Sequence, residues 1–450
     1  MSRRRRPFGL KSFGRCELRR IWAGGPLSSR GAREQDGSGV PAVAAAIGPR
    51  AVTRSTIVLI ALRVGYAYNW FSVGPALPEI GSTFHVGPED WGVLVAAFLV
   101  GAGLFQVPAG LLARRYGPRS VSLWGVGLLA AGGIASALSP SFAILVALRL
   151  ASGVGAALFF SPAIGLVGSL YPQGHRGVPV GTFSSAFSLG AALGIVGTAV
   201  LVPPLGWRGA ILFGGVLLGA LTLLGLAAIP RAAGGPPAER PRRSGIPTAL
   251  RFRGVWAIGI AFIGYEGATF ATGQFIVPWG ESVRDWSILL AGVVGMMFVL
   301  PSVAGGPVGG YFAERFRNHR TQLALAAVLG AVMIALLPIA GLAEAIAIGC
   351  AFSFGYGIVY AVMYVLPHYW RELPSEEIPL GIGLFNSIQL AGGAGVSFLF
   401  GWIVETRSYG LAWEVLPLVA VSTLLALFAL PASRAAAGDD PRRAAASGPP

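Results

Sequence analysis

Three charged side chains stand inside stretches of sequence that are otherwise apolar, and they are the residues best placed to do chemistry. Arg63 lies about nine residues into the stretch 55–77, Glu266 about twelve residues into 255–279, and Arg149 within 142–168. A guanidinium presents five donors in a rigid fork that matches a carboxylate or a similar anion. Tyr66 and Trp70 follow Arg63 at i+3 and i+7 on one helical face, with Asn69 beside them, so the four read as an anion-binding wall. A carboxyl removed from water favours its neutral form, which makes Glu266 the expected proton-coupling residue; Gln274 adds a polar group on the same stretch. The bland alternatives are a permanent Arg63–Glu266 salt bridge, or an Arg63 that snorkels to the headgroups. Tyr356, Tyr360 and Tyr364 recur every four residues, and Asn386 and Gln389 stand at i, i+3. Three hydroxyls on one face fit a polar cavity better than a lipid face, although such a stripe also serves plain packing.

These side chains need elements that hold them away from water. The chain has 54% hydrophobic and 12% charged residues, with a mean hydropathy of +0.67. A soluble domain carries roughly 25% charged residues, so this chain expects lipid as its outer solvent. From Arg54 onward, apolar stretches of about 20 residues succeed one another, long enough to cross a hydrocarbon core of about 30 Å. Backbone groups in lipid need internal partners, so the stretches predict helices, and the alternation of a β-barrel strand is missing. Twelve spans are expected, at 55–77, 92–112, 120–139, 142–168, 179–202, 208–229, 255–279, 286–311, 321–341, 344–367, 380–403 and 411–430. They divide into six-helix bundles at 54–229 and 254–431. A basic cytoplasmic extension (1–53), a linker (230–253) and a tail (432–450), all expected to be disordered, complete the chain.

The net charge of +15 is topological rather than a nucleic-acid signal. With the N-terminus inside, 29 of the 34 Lys and Arg fall on the cytoplasmic side, and only Arg208, Arg284 and Arg407 fall outside. That asymmetry follows the positive-inside rule and predicts a multi-pass protein of the cell (inner) membrane with both termini cytoplasmic. Four His and two distant Cys offer no metal constellation. Gly153-Val154-Gly155 lacks a preceding strand, and no Walker sequence occurs. Neither an enzyme nor a cofactor is expected.

A short basic signature occurs twice, 200 positions apart. It runs from Gly110 through Arg114, Arg115 and Gly117 to Arg119, and again from Gly310 through Glu314 and Arg315. The same shift pairs Pro78 with Pro278 and Gly181 with Gly381, while Asp90-Trp91 and Asp285-Trp286 open the second and eighth spans. Two repeats of this kind are a transporter architecture with a midplane site between the halves.

The signature after the second span, Arg149-Leu150-Ala151-Ser152-Gly153-Val154-Gly155 in the fourth, and Gly206-Trp207-Arg208 before the sixth resemble the major facilitator superfamily over about Arg54 to Pro431. The resemblance implies an all-α membrane fold: two pseudo-symmetric six-helix bundles around a central cavity that alternates its access between the two sides. It also implies that Arg149 transfers protons or contacts substrate, and that the two basic turns gate, with Glu314–Arg315 as the latch. Arg114 stands where the family usually has an acid, which weakens gating at the first turn. Gly181, Gly190 and Gly194 match part of an antiporter pattern, but Ile195 replaces its Pro; small residues here also serve close packing. Anion-carrying branches place an Arg in the first helix. The nitrate branch also needs Arg in the second and eighth, where this chain has none. The favoured expectation is proton-coupled uptake of a small organic or inorganic anion by a monomer. The alternatives are drug or metabolite export by proton antiport, and a membrane solute sensor.

Overall fold

The computed structural model describes residues 48–171, 177–234, 248–315, 319–370, 372–374 and 377–427. The described residues form helices and turns without strands. In chain order they are α1 (Pro49–Phe71), α2 (Leu77–Phe84), α3 (Pro88–Leu104), α4 (Gln106–Tyr116), α5 (Pro118–Ala137), α6 (Phe142–Ser169), α7 (Gly177–Ala228), α8 (Thr248–Arg251), α9 (Arg253–Arg284), α10 (Ile288–Met297), α11 (Ser302–Arg315), α12 (His319–Leu336), α13 (Leu342–Val365), α14 (Ile378–Thr406) and α15 (Tyr409–Leu427).

Twelve crossings can be traced. Among the described residues, nine helical segments are long and apolar enough by themselves, the bent pair α3–α4 supplies a tenth, and α15 is a shorter apolar helix. The twelfth comes from α7. Its 52 residues contain one non-helical residue, Gly206, at φ 65°. At 1.5 Å per residue a straight helix of that length would run about 78 Å, more than twice a bilayer core. Positive φ is a conformation that glycine adopts without a Cβ penalty, so Gly206 folds α7 into two antiparallel arms. The first helix, α1, begins at Pro49, and residues 1–47 of the expected extension lie outside the described residues. The second and eighth spans are each broken, at Phe105 and between Met297 and Ser302, which apolar length alone did not reveal.

The packing repeats. In the first half α1 lies on α7, α3 on α6, and α5 on α7; in the second α9 lies on α14, α11 on α13, and α12 on α15. Each of these pairs is matched span for span at a displacement of six, a twofold pseudosymmetry. The halves meet through α3 against α14 and through α7 against α10, again a matched pair.

Side chains finish the helix ends. Arg208 donates to Ala137 O at 2.7 Å and to Ser139 O at 3.0 Å, beyond the end of α5. Arg284 donates to Pro338 O and Ala340 O, beyond the end of α12. On the basic side Arg119 donates to Ile229 O at 2.8 Å and Leu226 O at 3.0 Å, and Arg54 to Ala228 O at 3.1 Å, at the end of α7. A cation there meets orphan carbonyls and the negative end of the helix dipole. Two of the three arginines on the side away from the basic loops are therefore structural caps.

Candidate functional site

Four aromatic rings hold the Arg63 guanidinium. Its carbon lies 4.7 Å from the Tyr66 ring centroid, 4.6 Å from Phe160, 5.4 Å from Phe183 and 4.7 Å from Phe187. The residue is 3% exposed, yet Nε and Nη1 have no hydrogen-bond partner among the described residues. Cation–π contacts of about 0.5–2 kcal/mol each can offset an insertion cost of roughly 2.5–3.5 kcal/mol. They do not satisfy the two buried N–H groups, which cost about 1–3 kcal/mol each. A bound acceptor would satisfy those two donors.

Glu266 belongs to the second half and is 5% exposed. Its Oε2 accepts the Tyr356 hydroxyl at 2.6 Å. Neither Arg63 nor Glu266 forms an ion pair among the described residues, so the expected alternative of a permanent Arg63–Glu266 bridge is not what the structure holds. Both nevertheless line one cavity of about 340 Å³, open mouth included. Tyr66, Trp70, Tyr356, Tyr360, Asn386 and Gln389 line it with them, as the sequence reading expects.

The side of the cavity away from the basic loops is sealed where the halves meet. Trp70 stacks on Phe270 with centroids 5.5 Å apart, and Phe71 stacks on the same ring at 5.6 Å. Gln274 Nε2 donates to Trp70 O at 2.8 Å, and a Cβ on Gly74 would stand 2.8 Å from Gln274 O. Lower down, Ser302 donates to Ser188 Oγ at 2.7 Å.

Other expected residues have different neighbours. Asn69 donates to Gly65 O and Gly214 O, tying α1 to α7. Arg149 donates to Asn69 O at 3.2 Å and covers the Phe98 ring at 4.3 Å; neither Asn69 nor Arg149 lines the cavity. Gln274 serves the seal between the halves. Tyr364 donates to Asn386 Oδ1 at 2.9 Å and stands behind the lining. Gly190 and Gly194 pack against Val64 and Tyr68 of α1, the close-packing reading of the glycine pattern.

In the basic turns, Gly117 has φ 84° and reverses the chain between α4 and α5. Arg114, Arg115 and Arg315 are exposed or half-exposed, and Arg115 lies 5.2 Å from the ring of its own neighbour Tyr116. Gly110 and Gly310 have open space where a Cβ would stand. The Glu314 side chain and residues 316–318 lie outside the described residues, so the expected latch does too. Arg119 is occupied as a helix cap within its own half.

The sequence reading missed Gln106, Phe160, Phe187, Phe270 and Leu390, all of which line the cavity. Gln106 opens α4 just past the break in the second span, and its Oε1 accepts the Ser161 hydroxyl at 2.8 Å. A lone Gln in the apolar stretch 92–112 was a usable signal. The phenylalanines had none, being three among 25.

Matched six-span halves around a buried, charged cavity define a helical membrane fold. The sequence matches the Major Facilitator Superfamily over residues 59–394, and the chain belongs to that family. The family is one of transporters rather than enzymes, and the chain spans little more than a quarter of the length of the first curated relatives it matches. It is 35% identical to the Multidrug resistance protein Stp of Mycobacterium tuberculosis (strain CDC 1551 / Oshkosh) over 152 residues, 34% of this chain and 28% of that protein's length. It is 24% identical to the Probable sulfoacetate transporter SauU of Cupriavidus necator (strain ATCC 17699 / DSM 428 / KCTC 22496 / NCIMB 10442 / H16 / Stanier 337) over 398 residues, 80% of this chain and 89% of that one. Its fold is similar to the crystal structure of a D-xylose–proton symporter, with a TM-score of 0.68 at 14% identity over 85% of this chain and 99% of that chain.

Proposed function

We propose that this transporter takes up a small anion together with a proton by alternating access. The observation that carries the reading is the separation of Arg63 and Glu266. One is an unpaired cation, the other an acid with only a hydroxyl partner, and they line the same cavity from opposite halves. With Glu266 ionised, the two charges nearly cancel for an incoming anion. With Glu266 protonated, the Arg63 charge stands uncompensated and an anion is favoured, so proton and anion bind together. The rocking units are the bundles at 54–229 and 254–431, hinging about the seal at Trp70, Phe270 and Gln274. The basic loops face the cytoplasm of the inner membrane, and a single chain contains the whole site.

The sulfoacetate relative, similar over most of its length, supports an anionic substrate. Export by proton antiport is the second reading, favoured by the multidrug relative. Purified protein in proteoliposomes separates the two. Uptake of small carboxylates or sulfonates driven by an inward proton gradient, and lost in Arg63→Gln, is the expected result. Dye export that survives in Arg63→Gln, with no anion uptake, would establish the second.

A further inference from the structure

Among the fully buried polar atoms of the described cavity-lining residues, those without a hydrogen-bond partner form a short, lopsided set. The donors are Arg63 Nε and Nη1 and Trp70 Nε1; the acceptor is Gln389 Oε1. Arg63, Trp70 and Gln389 are 3%, 4% and 1% exposed. The orientation of the Gln389 amide follows from its neighbours. Its Nε2 donates to Asn386 Oδ1, which also accepts the Tyr364 hydroxyl, so Oε1 is the end left over. A ligand complementary to this set brings acceptors to three donors and one donor of its own to Oε1. The charge is equally constrained, because the cavity carries one unpaired cation. A second ligand charge would be buried without a partner beside Glu266, at heavy cost.

The walls supply the third constraint. Phe187 meets Trp70 edge-on at 5.6 Å and 84°, and Trp70 stacks on Phe270. Tyr66, Phe160, Tyr356 and Tyr360 complete the lining. Aromatic pairs in stacked or edge-to-face geometry contribute about 0.5–1.5 kcal/mol beyond the area they bury, which a saturated ring of similar size does not obtain. The space between these walls that can hold water-sized molecules is only about 30 Å³, so the guest is small and the walls part to admit it.

We infer that the substrate is a small aromatic monocarboxylate carrying a hydroxyl or amino donor away from its carboxylate. The carboxylate accepts from the Arg63 fork, the ring lies among Trp70, Phe187 and Phe270, and the donor meets Gln389. This rests on the anion-uptake reading above and narrows it.

The test is calorimetric binding to the purified full chain in lipid nanodiscs, using 4-hydroxybenzoate, benzoate, cyclohexanecarboxylate, terephthalate and the cationic dye rhodamine 6G. The expected order puts 4-hydroxybenzoate first, with benzoate weaker and cyclohexanecarboxylate about tenfold weaker than benzoate. Terephthalate, a dianion, binds worst of the acids. Gln389→Leu removes the advantage of 4-hydroxybenzoate over benzoate but keeps benzoate binding, and Arg63→Gln removes both. The melting temperature of each unliganded variant reports whether it is folded. Cyclohexanecarboxylate binding as tightly as benzoate overturns the aromatic inference and leaves anion uptake standing. An unchanged 4-hydroxybenzoate preference in Gln389→Leu overturns the donor assignment. No carboxylate binding overturns the inference, and binding of rhodamine 6G without any carboxylate also turns the reading beneath it toward export.

Discussion

The hydroxyl of Tyr356 donates to Oε2 of Glu266 across 2.6 Å, within the second half of the molecule. Glu266 is thereby held by a neutral partner instead of by Arg63, whose guanidinium rests among aromatic rings. A salt bridge would have spent both charges on structure. Their separation leaves both available to the transport cycle.

The Glu266→Gln variant should uncouple the protein without unfolding it. A glutamine oxygen still accepts from Tyr356, so the local hydrogen bond survives, but the side chain no longer exchanges a proton. Counterflow of a labelled substrate between two sides at equal pH should persist. Accumulation driven by a proton gradient should vanish, and the rise in wild-type uptake at lower external pH should flatten. Accumulation at the wild-type level would remove Glu266 from the coupling scheme.

Arg63→Gln should separate function from stability. The guanidinium has buried donors without partners, so its removal deletes desolvated N–H groups along with the cation–π contacts, and the terms oppose one another. The melting temperature in detergent should stay near the wild-type value or rise. Anion uptake should fall by at least about 100-fold, the worth of roughly 3 kcal/mol for a charge-assisted bond. A collapse in stability with residual uptake would mark Arg63 as structural.

Why some of this could be read from residues alone, and some not, has a physical answer. Span positions follow from apolar length, which lipid enforces residue by residue; hence α6, expected at 142–168, is found at Phe142–Ser169. Arg63, Glu266 and the Tyr356 stripe were legible because polar groups inside apolar stretches are costly and need a reason. The same logic also selected Asn69 and Arg149, whose reason is to bond backbone carbonyls within the first half. Cost marks a residue as special without saying which neighbour offsets it. The Phe160, Phe187 and Phe270 rings carry no such cost in lipid, so nothing distinguished them before the helices were placed. The breaks in the second and eighth spans did have a local signal: Pro108 and Pro301 lack the N–H that would bond Leu104 O and Met297 O, where α3 and α10 end, and the second break is further tied by Ser353 Oγ accepting the Ser302 N–H at 3.0 Å.

The arginines away from the basic side should prove to be stability residues. Arg208→Ala removes two donor bonds to the carbonyls beyond α5 and a contact with the Trp207 ring at 4.4 Å. A loss of about 2 kcal/mol is expected from caps of this type. Arg284→Ala should behave similarly at the end of α12. Thermal melts should fall in both, while the KM for substrate stays within about twofold, a difference under 1 kcal/mol. A large KM change with no loss of stability would place these side chains in the transport route instead.

The seal between the halves offers a way to bias the conformational equilibrium. A Cβ on Gly74 would stand 2.8 Å from Gln274 O and 3.0 Å from its Cα; backbone atoms cannot step aside as a flexible side chain can. Gly74→Val should therefore wedge the turn between α1 and α2 away from α9 and favour the conformer open on the side away from the basic loops. Gln106, 2% exposed in this structure and part of the cavity lining, is a suitable reporter as Gln106→Cys, with Cys16 and Cys350 replaced by serine. An impermeant maleimide applied from that side should label the reporter at least about fivefold faster in the Gly74→Val background, corresponding to a shift of roughly 1 kcal/mol between the two conformers. Transport should slow as one of the two states becomes harder to reach. Equal labelling rates in the two backgrounds would mean that the close approach of Gly74 to Gln274 packs the halves together without controlling access to the cavity.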